Sequence, residues 1–250
     1  MIKLSLLFIF FVNCLNAQNN FDKFENTCHK TTNINKWLDQ SSSLTINQEK
    51  IDISYYRIEF EIDLESEQIN GNVISKGSIG FNQPDSIEFD FSNIMIVDSI
   101  YLDDVRSIFV HEDHKLKIPR EEVNISEEYE FTVQIFYHGS PSSTGFGSFN
   151  FDSYAEIPHV WTLSEPYGAR DWWPCKDDPS DKADSVDIII TISEEQIVVS
   201  NGLLKNQIDL DDGKKRYHWS ERYPISTYLV SVTTYPYTTW SDQYIGLNGD

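Results

Sequence analysis

The sequence predicts an all-β fold, a sandwich or open barrel built from many short, mostly antiparallel strands. Three observations indicate this class. Apolar and polar residues alternate strictly over residues 56–64, several later runs are short and β-branched, and turn signals separate the runs. The chain shows no long amphipathic helical pattern, internal repeat or low-complexity tract, so the strands must build the fold.

The first two strands follow from residue patterns at the start of this region. Alternation over residues 56–64 is typical of a strand with one buried face and one solvated face. Residues 68–71 are predicted to form the turn, and residues 73–81 the returning strand. Gly77 and Gly80 within that strand predict bulges or close backbone approaches.

Further strands are predicted wherever apolar residues alternate or cluster in short β-branched runs. A hairpin turn is expected at residues 211–213, whose sequence is Asp-Asp-Gly. The predicted strands cover residues 87–91, 94–100, 109–118, 129–137, 186–192, 197–199, 203–210, 216–219, 228–232 and 243–247.

Composition supports a folded, acidic protein. The chain has 250 residues, of which 40% are apolar and 14% are aromatic, enough for a sizeable core. Nineteen Lys and Arg residues face 40 Asp and Glu residues, and the formal net charge is −21. Because nucleic acids and anionic lipids attract basic proteins, this charge argues against both as partners.

The N-terminus predicts a secretory signal peptide. Lys3 precedes an apolar run over residues 4–12, and Ala17 ends a cleavage-like segment before a polar stretch. The run is too short to span a bilayer, and no later segment is apolar enough to do so. An anchor helix and a lipoprotein attached through Cys14 are the weaker alternatives. We therefore expect export to the periplasm, the cell surface or the exterior.

The domain organisation follows from this interpretation. Residues 1–17 are the signal peptide, residues 18–50 form a polar lead with a helical turn at 33–38, and residues 51–250 form the β domain. Asn124 begins a short N-glycosylation motif. Export permits a disulfide between Cys28 and Cys175, but a buried free thiol at Cys175 is the preferred interpretation.

Two clusters of metal-ligand residue types have simpler explanations. His111 and His114 are three residues apart within a predicted strand, whereas a zinc helix needs histidines four apart. We interpret them as part of a solvated edge. The acidic run lacks the spacing of a calcium loop, so a solvated charged surface is favoured. Its members are Asp177, Asp178, Asp181, Asp184 and Asp187.

Residues 162–179 are the most informative stretch. They contain two tryptophans, three prolines and one cysteine, and the pattern is not that of a strand. Because prolines fix the backbone, the loop is expected to be stiff. It carries Glu165 and Arg170 on a β scaffold, where binding sites often lie, although a merely packed corner is an equal alternative.

This stretch resembles the signature of the N-terminal domain of M1 (gluzincin) zinc metallo-aminopeptidases, Q-F-E-P-x-x-A-R-x-x-F-P-C-x-D-E-P. The matching residues are Glu165, Pro166, Ala169, Arg170, Pro174, Cys175, Asp177 and Pro179. The chain departs from the signature at Leu163, Ser164, Trp173 and Asp178. Other pieces follow in family order: residues 52–56 resemble D-V-x-x-Y, 69–73 resemble x-x-G-x-V, 200–202 match S-N-G, and 224–230 resemble M-S-T-Y-L-V.

The resemblance implies a saddle-like β domain in an enzyme that removes N-terminal residues from peptides. Family members bind zinc through H-E-x-x-H and a distant Glu, and they hold substrate with a G-x-M-E-N strand. Neither motif occurs here. The resemblance therefore gives this chain no catalytic residue and no bound metal. It implies a partner, the catalytic zinc domain of the same polypeptide, and predicts that the chain alone is inactive.

The resemblance assigns one functional residue. Glu165 matches the family residue that holds the free α-amino group of the peptide substrate. Ser164, Pro166, Ala169, Arg170, Pro174, Cys175 and Asp177 are the supporting loop. The alternative for Glu165 is a structural salt bridge with Arg170.

The end of the chain also predicts a missing domain. Residues 248–249 are Asn-Gly, a hairpin turn signal without a return strand, so we expect a truncation, an exposed edge strand and an uncovered apolar face. The alternative functions are a non-catalytic secreted binding or adhesion module and a structural cap for a partner chain.

Overall fold

The computed structural model describes residues 44–81, 83–119, 129–144 and 146–242. The predicted signal peptide, the helical turn at 33–38, Cys28, Asn124 and the strand at 243–247 lie outside these residues. The described strands are β1 (Ile51–Asp63), β2 (Gln68–Ile79), β3 (Ser86–Asp90), β4 (Ile96–Leu102), β5 (Val105–Ser107), β6 (Val110–Glu112), β7 (Lys115–Pro119), β8 (Tyr129–Gly139), β9 (Ser148–Tyr154), β10 (Ile157–Leu163), β11 (Lys182–Ala183), β12 (Ser185–Ser193), β13 (Ile197–Ser200), β14 (Leu203–Asp209), β15 (Lys214–Glu221), β16 (Ile225–Ser226) and β17 (Val232–Tyr235).

The largest sheet has eight strands in the order β14-β15-β12-β1-β2-β8-β4-β5. β1 pairs in parallel with β12 and antiparallel with β2, and the other pairs of this sheet are antiparallel. Alternate residues of β1 are buried, as its sequence predicts. β14 is an exposed edge strand with all seven residues solvent-accessible.

Three smaller sheets complete the described fold. Their orders are β13-β17-β10-β9, β3-β7-β6 and β11-β16. Aromatic rings join two of them to the large sheet: Phe60 of β1 lies 6.3 Å from Phe149 of β9, and Tyr137 of β8 lies 5.1 Å from Phe91, the residue after β3. None of these sheets closes into a barrel within the described residues. The predicted all-β, mostly antiparallel fold is therefore confirmed.

Two glycines of β2 bear on the predictions for the first hairpin: one prediction was wrong and one is confirmed. The first turn lies at residues 64–67, so the prediction of a turn at 68–71 was wrong. Gly71 belongs to β2 because the ring of Tyr137 fills its side-chain space; a Cβ there would lie 2.3 Å from Tyr137 Cζ. At Gly77 the close approach is confirmed, since a Cβ would meet Asp52 O at 2.3 Å.

Two other predicted strands were wrong in detail. Residues 109–118 form the β6–β7 hairpin, with Asp113 and His114 at positive φ in its turn. Alternation continues across the turn and conceals it. The predicted strand at 228–232 is a 3₁₀ helix, Thr227–Leu229, followed by β17. The hairpin turn at 211–213 is confirmed between β14 and β15. No helix in the described segments is long and apolar enough to cross a membrane.

Candidate functional site

The signature loop, residues 164–179, follows β10 directly, and its backbone is fixed near Glu165. Thr162 and Leu163, predicted to be in the loop, are instead the last two residues of β10. Gly168 N donates to Ser164 O at 2.7 Å, and Trp172 Nε1 donates to Ser164 Oγ at 3.0 Å. Ser164 is 1% exposed. These bonds hold the residue immediately before Glu165 inside the protein.

Glu165 itself is exposed, and a cis peptide bond joins it to Pro166. Within the described parts of the chain, its carboxylate forms no hydrogen bond and no ion pair, so the alternative salt bridge with Arg170 is not formed there. Arg170 instead binds through its backbone: its O accepts from Ser92 N at 2.9 Å, and its N lies 3.3 Å from Asp177 Oδ2. Glu165 is therefore available to a ligand.

The rest of the signature is largely structural. Ala169, Pro174, Cys175 and Asp177 are buried, and Pro166, Arg170 and Pro179 are half-buried. Among the matching residues only Glu165 is exposed. The short 3₁₀ helix Ala169–Asp171 leads into Trp172 and Trp173, which are both 0% exposed.

The two tryptophans anchor the loop in the core. Trp172 packs edge-on to Phe60 at 5.7 Å between ring centroids, and Trp173 packs edge-on to Tyr56 at 4.9 Å. Burying rings of this size contributes several kcal/mol, roughly 25 cal/mol per Å² of apolar surface. Trp172 and Trp173 therefore pack the loop against the core.

Cys175 joins the loop to β3 through its backbone. Its N donates to Asp90 O at 3.1 Å, and Asp90 N donates to its O at 2.6 Å. The thiol is free and fully buried, and burial raises its pKa well above the usual range. The preferred interpretation, a buried thiol, is thus confirmed.

Asp177 is fully buried, so the prediction that it lies on a solvated acidic surface was wrong. Its Oδ1 accepts from Thr227 Oγ1 at 2.8 Å, and its N donates to Asp90 Oδ2 at 3.0 Å. Burial and the neighbouring Asp90 raise the pKa of Asp177 to about 7. Asp90 is also fully buried; it pairs with Lys115 and accepts from Gln48 Nε2 at 2.8 Å.

Asp187 also departs from the predicted acidic surface. It pairs with Arg222 at 2.8 Å and lies 2.7 Å from Tyr55 Oη and 3.0 Å from His218 Nε2. Burial opposes its ionisation, but these hydrogen bonds prevail and lower its pKa to about 2. Its position was unpredictable because its partners lie up to 132 residues away along the chain.

The candidate metal ligands are occupied by protein groups. His111 Nε2 lies 3.1 Å from Phe91 O, and His114 Nδ1 accepts from Asn93 N at 3.2 Å. Asp181 pairs with Lys176 at 2.6 Å. In the part of the chain that the structure describes, no three His, Cys, Asp or Glu side chains are arranged to hold a metal ion. The described residues therefore do not fit a zinc site.

Two of the motif segments, residues 200–202 and 224–230, connect to the signature loop. Thr227 binds Asp177, and Ser226 Oγ donates to Pro179 O at 2.9 Å, so residues 224–230 brace the signature loop. Asn201 Nδ2 donates to Leu229 O at 3.0 Å, and its Oδ1 accepts from Ser231 N at 2.7 Å. The sequence did not indicate these pairings; the resemblance gave only the order of the segments along the chain.

The comparison with protein families decides the assignment. The sequence model of the Peptidase M1 N-terminal domain matches residues 52–229. The chain belongs to the M1 peptidase family. The match covers the signature loop and the segments that brace it, and it confirms the resemblance found in the sequence.

Similar proteins agree with this family. Leucine aminopeptidase 2 of Vanderwaltozyma polyspora is 23% identical over 194 residues, which is 75% of this chain and 29% of that protein. An M1 zinc metallopeptidase of Deinococcus radiodurans superimposes with a TM-score of 0.62 at 20% identity, covering 75% of this chain and 42% of the other. Native yeast LTA4 hydrolase gives a TM-score of 0.59 at 20% identity, covering 82% of this chain and 33% of the other. The chain thus spans less than half the length of these relatives.

Proposed function

We propose that this chain is the substrate-anchoring N-terminal domain of an exported zinc aminopeptidase, and that Glu165 holds the free α-amino group of the peptide. The observation that carries the proposal is the exposed carboxylate of Glu165, which has no partner among the described residues, on a loop whose other residues are mostly buried. Family membership supports peptide hydrolysis as the reaction. A mutant of the Deinococcus radiodurans M1 zinc metallopeptidase has been solved with a Tyr-Ser-Ala substrate, which supports a peptide as the ligand.

The chemistry of a carboxylate suits this role. A peptide amine is an ammonium at neutral pH, and it forms a charge-assisted hydrogen bond with a carboxylate. An internal peptide bond offers no ammonium, so such an anchor selects substrates by their free N-terminus. Fixing the end of the peptide also reduces the entropy cost of reaching the geometry for attack.

In this proposal the zinc chemistry belongs to a different domain of the enzyme. The described residues do not fit a zinc site. We propose that the metal and the general base lie on the catalytic domain of the same enzyme, and that the 250-residue chain alone is inactive. Incubating the purified chain with zinc and aminoacyl 4-nitroanilides should give no turnover. Zinc-dependent turnover by the chain alone would contradict the proposal that the metal and the general base lie on another domain.

The anchor is tested in the enzyme that joins this domain to the zinc domain. Glu165→Gln removes the charge at nearly constant volume, and we expect kcat/KM on free-amine substrates to fall about 30- to 100-fold. The same variant should change the slow hydrolysis of N-acetylated substrates little, because they lack the ammonium. Glu112→Gln, an exposed carboxylate on β6, is the matched control and should leave both rates unchanged.

Equal losses on free and acetylated substrates would discard the anchor and favour a structural role for Glu165. If neither rate changes, the domain is a binding module or cap rather than part of the substrate site. Export is tested separately: N-terminal sequencing of the secreted product should begin at Gln18, and an uncleaved cytoplasmic chain would contradict it.

A further inference from the structure

The short turn that carries Glu165 is held by contacts on both of its sides. We call residues 164–168 the Glu165 turn, because Gly168 N donates to Ser164 O at 2.7 Å and closes it. On the side before Glu165, Trp172 Nε1 donates to the buried Ser164 Oγ at 3.0 Å. On the other side, Gly168 lies against Ser148, the first residue of β9. Ser148 is therefore a second fixed point of the turn.

Asp171 holds the Ser148 side chain in place. Asp171 is 5% exposed, and its Oδ2 accepts hydrogen bonds from Ser148 Oγ at 2.7 Å and from Thr144 Oγ1. A buried carboxylate needs such donors, because burial without a hydrogen-bond partner is costly. The three side chains thus join the start of β9 to the short 3₁₀ helix that follows the Glu165 turn.

The backbone of Ser148 is held in an uncommon conformation. Its φ is +38°, in the left-handed region that residues other than glycine seldom adopt. Residues persist in such a conformation where the surrounding structure fixes them. Here the fixing contacts are the bond to Asp171 and the pairing of Ser148 with Leu163, the last residue of β10. Because Leu163 is two positions before Glu165, the sheet register brings the Ser148 hydroxyl beside the Glu165 turn.

The contact between Ser148 and the Glu165 turn is tight. A Cβ at Gly168 would lie 2.3 Å from Ser148 Oγ and 3.2 Å from Ser164 Cα. The serine hydroxyl therefore occupies the space beside Gly168, and a displaced Ser148 would change the packing of the turn.

The side chains that fix the two sides of the turn lie outside the family signature. Asp171 and Trp172 stand at the two positions that the M1 signature leaves unspecified after Ala-Arg. We propose that Asp171 and Ser148 are positioning residues, whose hydrogen bond sets the place of the Glu165 carboxylate relative to the ammonium of the peptide. This inference rests on the proposed role of Glu165.

Two truncations test the positioning role in the enzyme that joins this domain to the zinc domain. Ser148→Ala removes the donor and Asp171→Ala removes the acceptor, so each should lower kcat/KM on free-amine substrates about ten-fold. Asp171→Asn keeps an acceptor oxygen and should lose only about three-fold by the same reasoning. Hydrolysis of N-acetylated substrates should change little in all three variants.

Combination with Glu165→Gln separates positioning from a general effect on the fold. Because both residues are proposed to act through Glu165, Ser148→Ala and Asp171→Ala should lower kcat/KM no further in the Glu165→Gln enzyme. Ser148→Ala removes a single oxygen, so the test does not depend on whether Asp171→Ala folds. Urea titration of each variant measures its stability.

Asp187→Asn is the matched control. It also changes a buried carboxylate, which accepts from Tyr55 Oη at 2.7 Å on β12, outside the signature loop. It should destabilise the domain but leave the ratio of the rates on free and acetylated substrates unchanged.

Three outcomes would overturn the inference in different ways. Losses that are equal on both substrates, or that persist in full beside Glu165→Gln, would make Asp171 and Ser148 structural residues only. A loss from Glu165→Gln without a loss from either truncation would overturn the positioning role and leave the amine anchor intact. If Glu165→Gln changes neither rate, the anchor fails and the positioning role fails with it.

Discussion

The buried Asp177 makes the stability of this domain depend on pH in an unusual direction. Its carboxyl lies in the core beside Asp90, and burial followed by this like charge raises its pKa from 3.8 to about 7. The folded state therefore binds a proton over a range in which the unfolded state has released it. The contribution of Asp177 to the free energy of unfolding is fully present below about pH 4 and is lost as the pH rises through about 7.

The magnitude follows from the size of the shift. Each pKa unit corresponds to about 1.36 kcal/mol, so integrating between about pH 4.5 and 7.5 gives a loss of about 3 kcal/mol. Asp171 and Asp181 act in the same direction, because burial also raises their pKa values. The contribution of Asp177 must therefore be isolated by comparison with a variant.

Asp177→Asn provides that comparison because it cannot ionise and keeps an oxygen for Thr227. Urea unfolding of both proteins across this pH range gives two free energies of unfolding at each pH. The wild-type value minus the variant value should fall by about 3 kcal/mol as pH rises. A difference that is independent of pH, or that rises with pH, would contradict the raised pKa of Asp177.

Three further predictions address the scaffold. Gly202 has φ +79°, and a Cβ would lie 2.2 Å from Ser220 O, so Gly202→Ala should lower the free energy of unfolding by about 2–3 kcal/mol. Gly213, at φ +74° with open space around it, is the control and should lose only about 1 kcal/mol in the same urea titration. Asp187→Asn should cost about 2 kcal/mol at neutral pH, and the cost should vanish as pH falls through about 2, because the ionised carboxylate makes the bonds. Cys175 should resist alkylation until the protein is unfolded, as peptide mass mapping would show. Labelling of Cys175 in the native protein would contradict its burial.

Strands and their buried faces could be predicted from the sequence wherever the local residue pattern agrees with the tertiary environment. The alternation in β1 predicted its buried face because one side of that strand meets the core. The turn after β1 was misplaced because Gly71 was read as a turn residue, whereas the ring of Tyr137, 66 positions further on, demands a glycine there. The hairpin at Asp113 was concealed because both of its strands continue the same alternation.

The site was predictable only as a pattern of residue types. The resemblance assigned a role to Glu165 and its supporting loop, but no local property distinguishes the exposed acid Glu165 from the buried acid Asp177. Burial of Asp177 depends on Asp90 and on Thr227, which lie 87 and 50 residues away. Such long-range partners also explain why the acidic run from Asp177 to Asp187 appeared to be a solvated surface.

The signature loop combines a fixed backbone with an exposed Glu165 side chain, and this contrast affects how such an anchor would bind an amine. The backbone on either side of Glu165 is held by the buried Ser164 and by the core packing of Trp172. The Glu165 side chain, in contrast, has no partner in the described residues and keeps its rotamer freedom. Binding an ammonium must then cost up to about 2 kcal/mol of side-chain entropy, but little backbone entropy. A desolvated charge-assisted pair is expected to gain about 1.5–3 kcal/mol. This gain exceeds the entropy cost only when a neighbouring surface excludes water from the pair. If Glu165 is the proposed amine anchor, its exposed position would make its affinity for an amine depend on a neighbouring surface that excludes water.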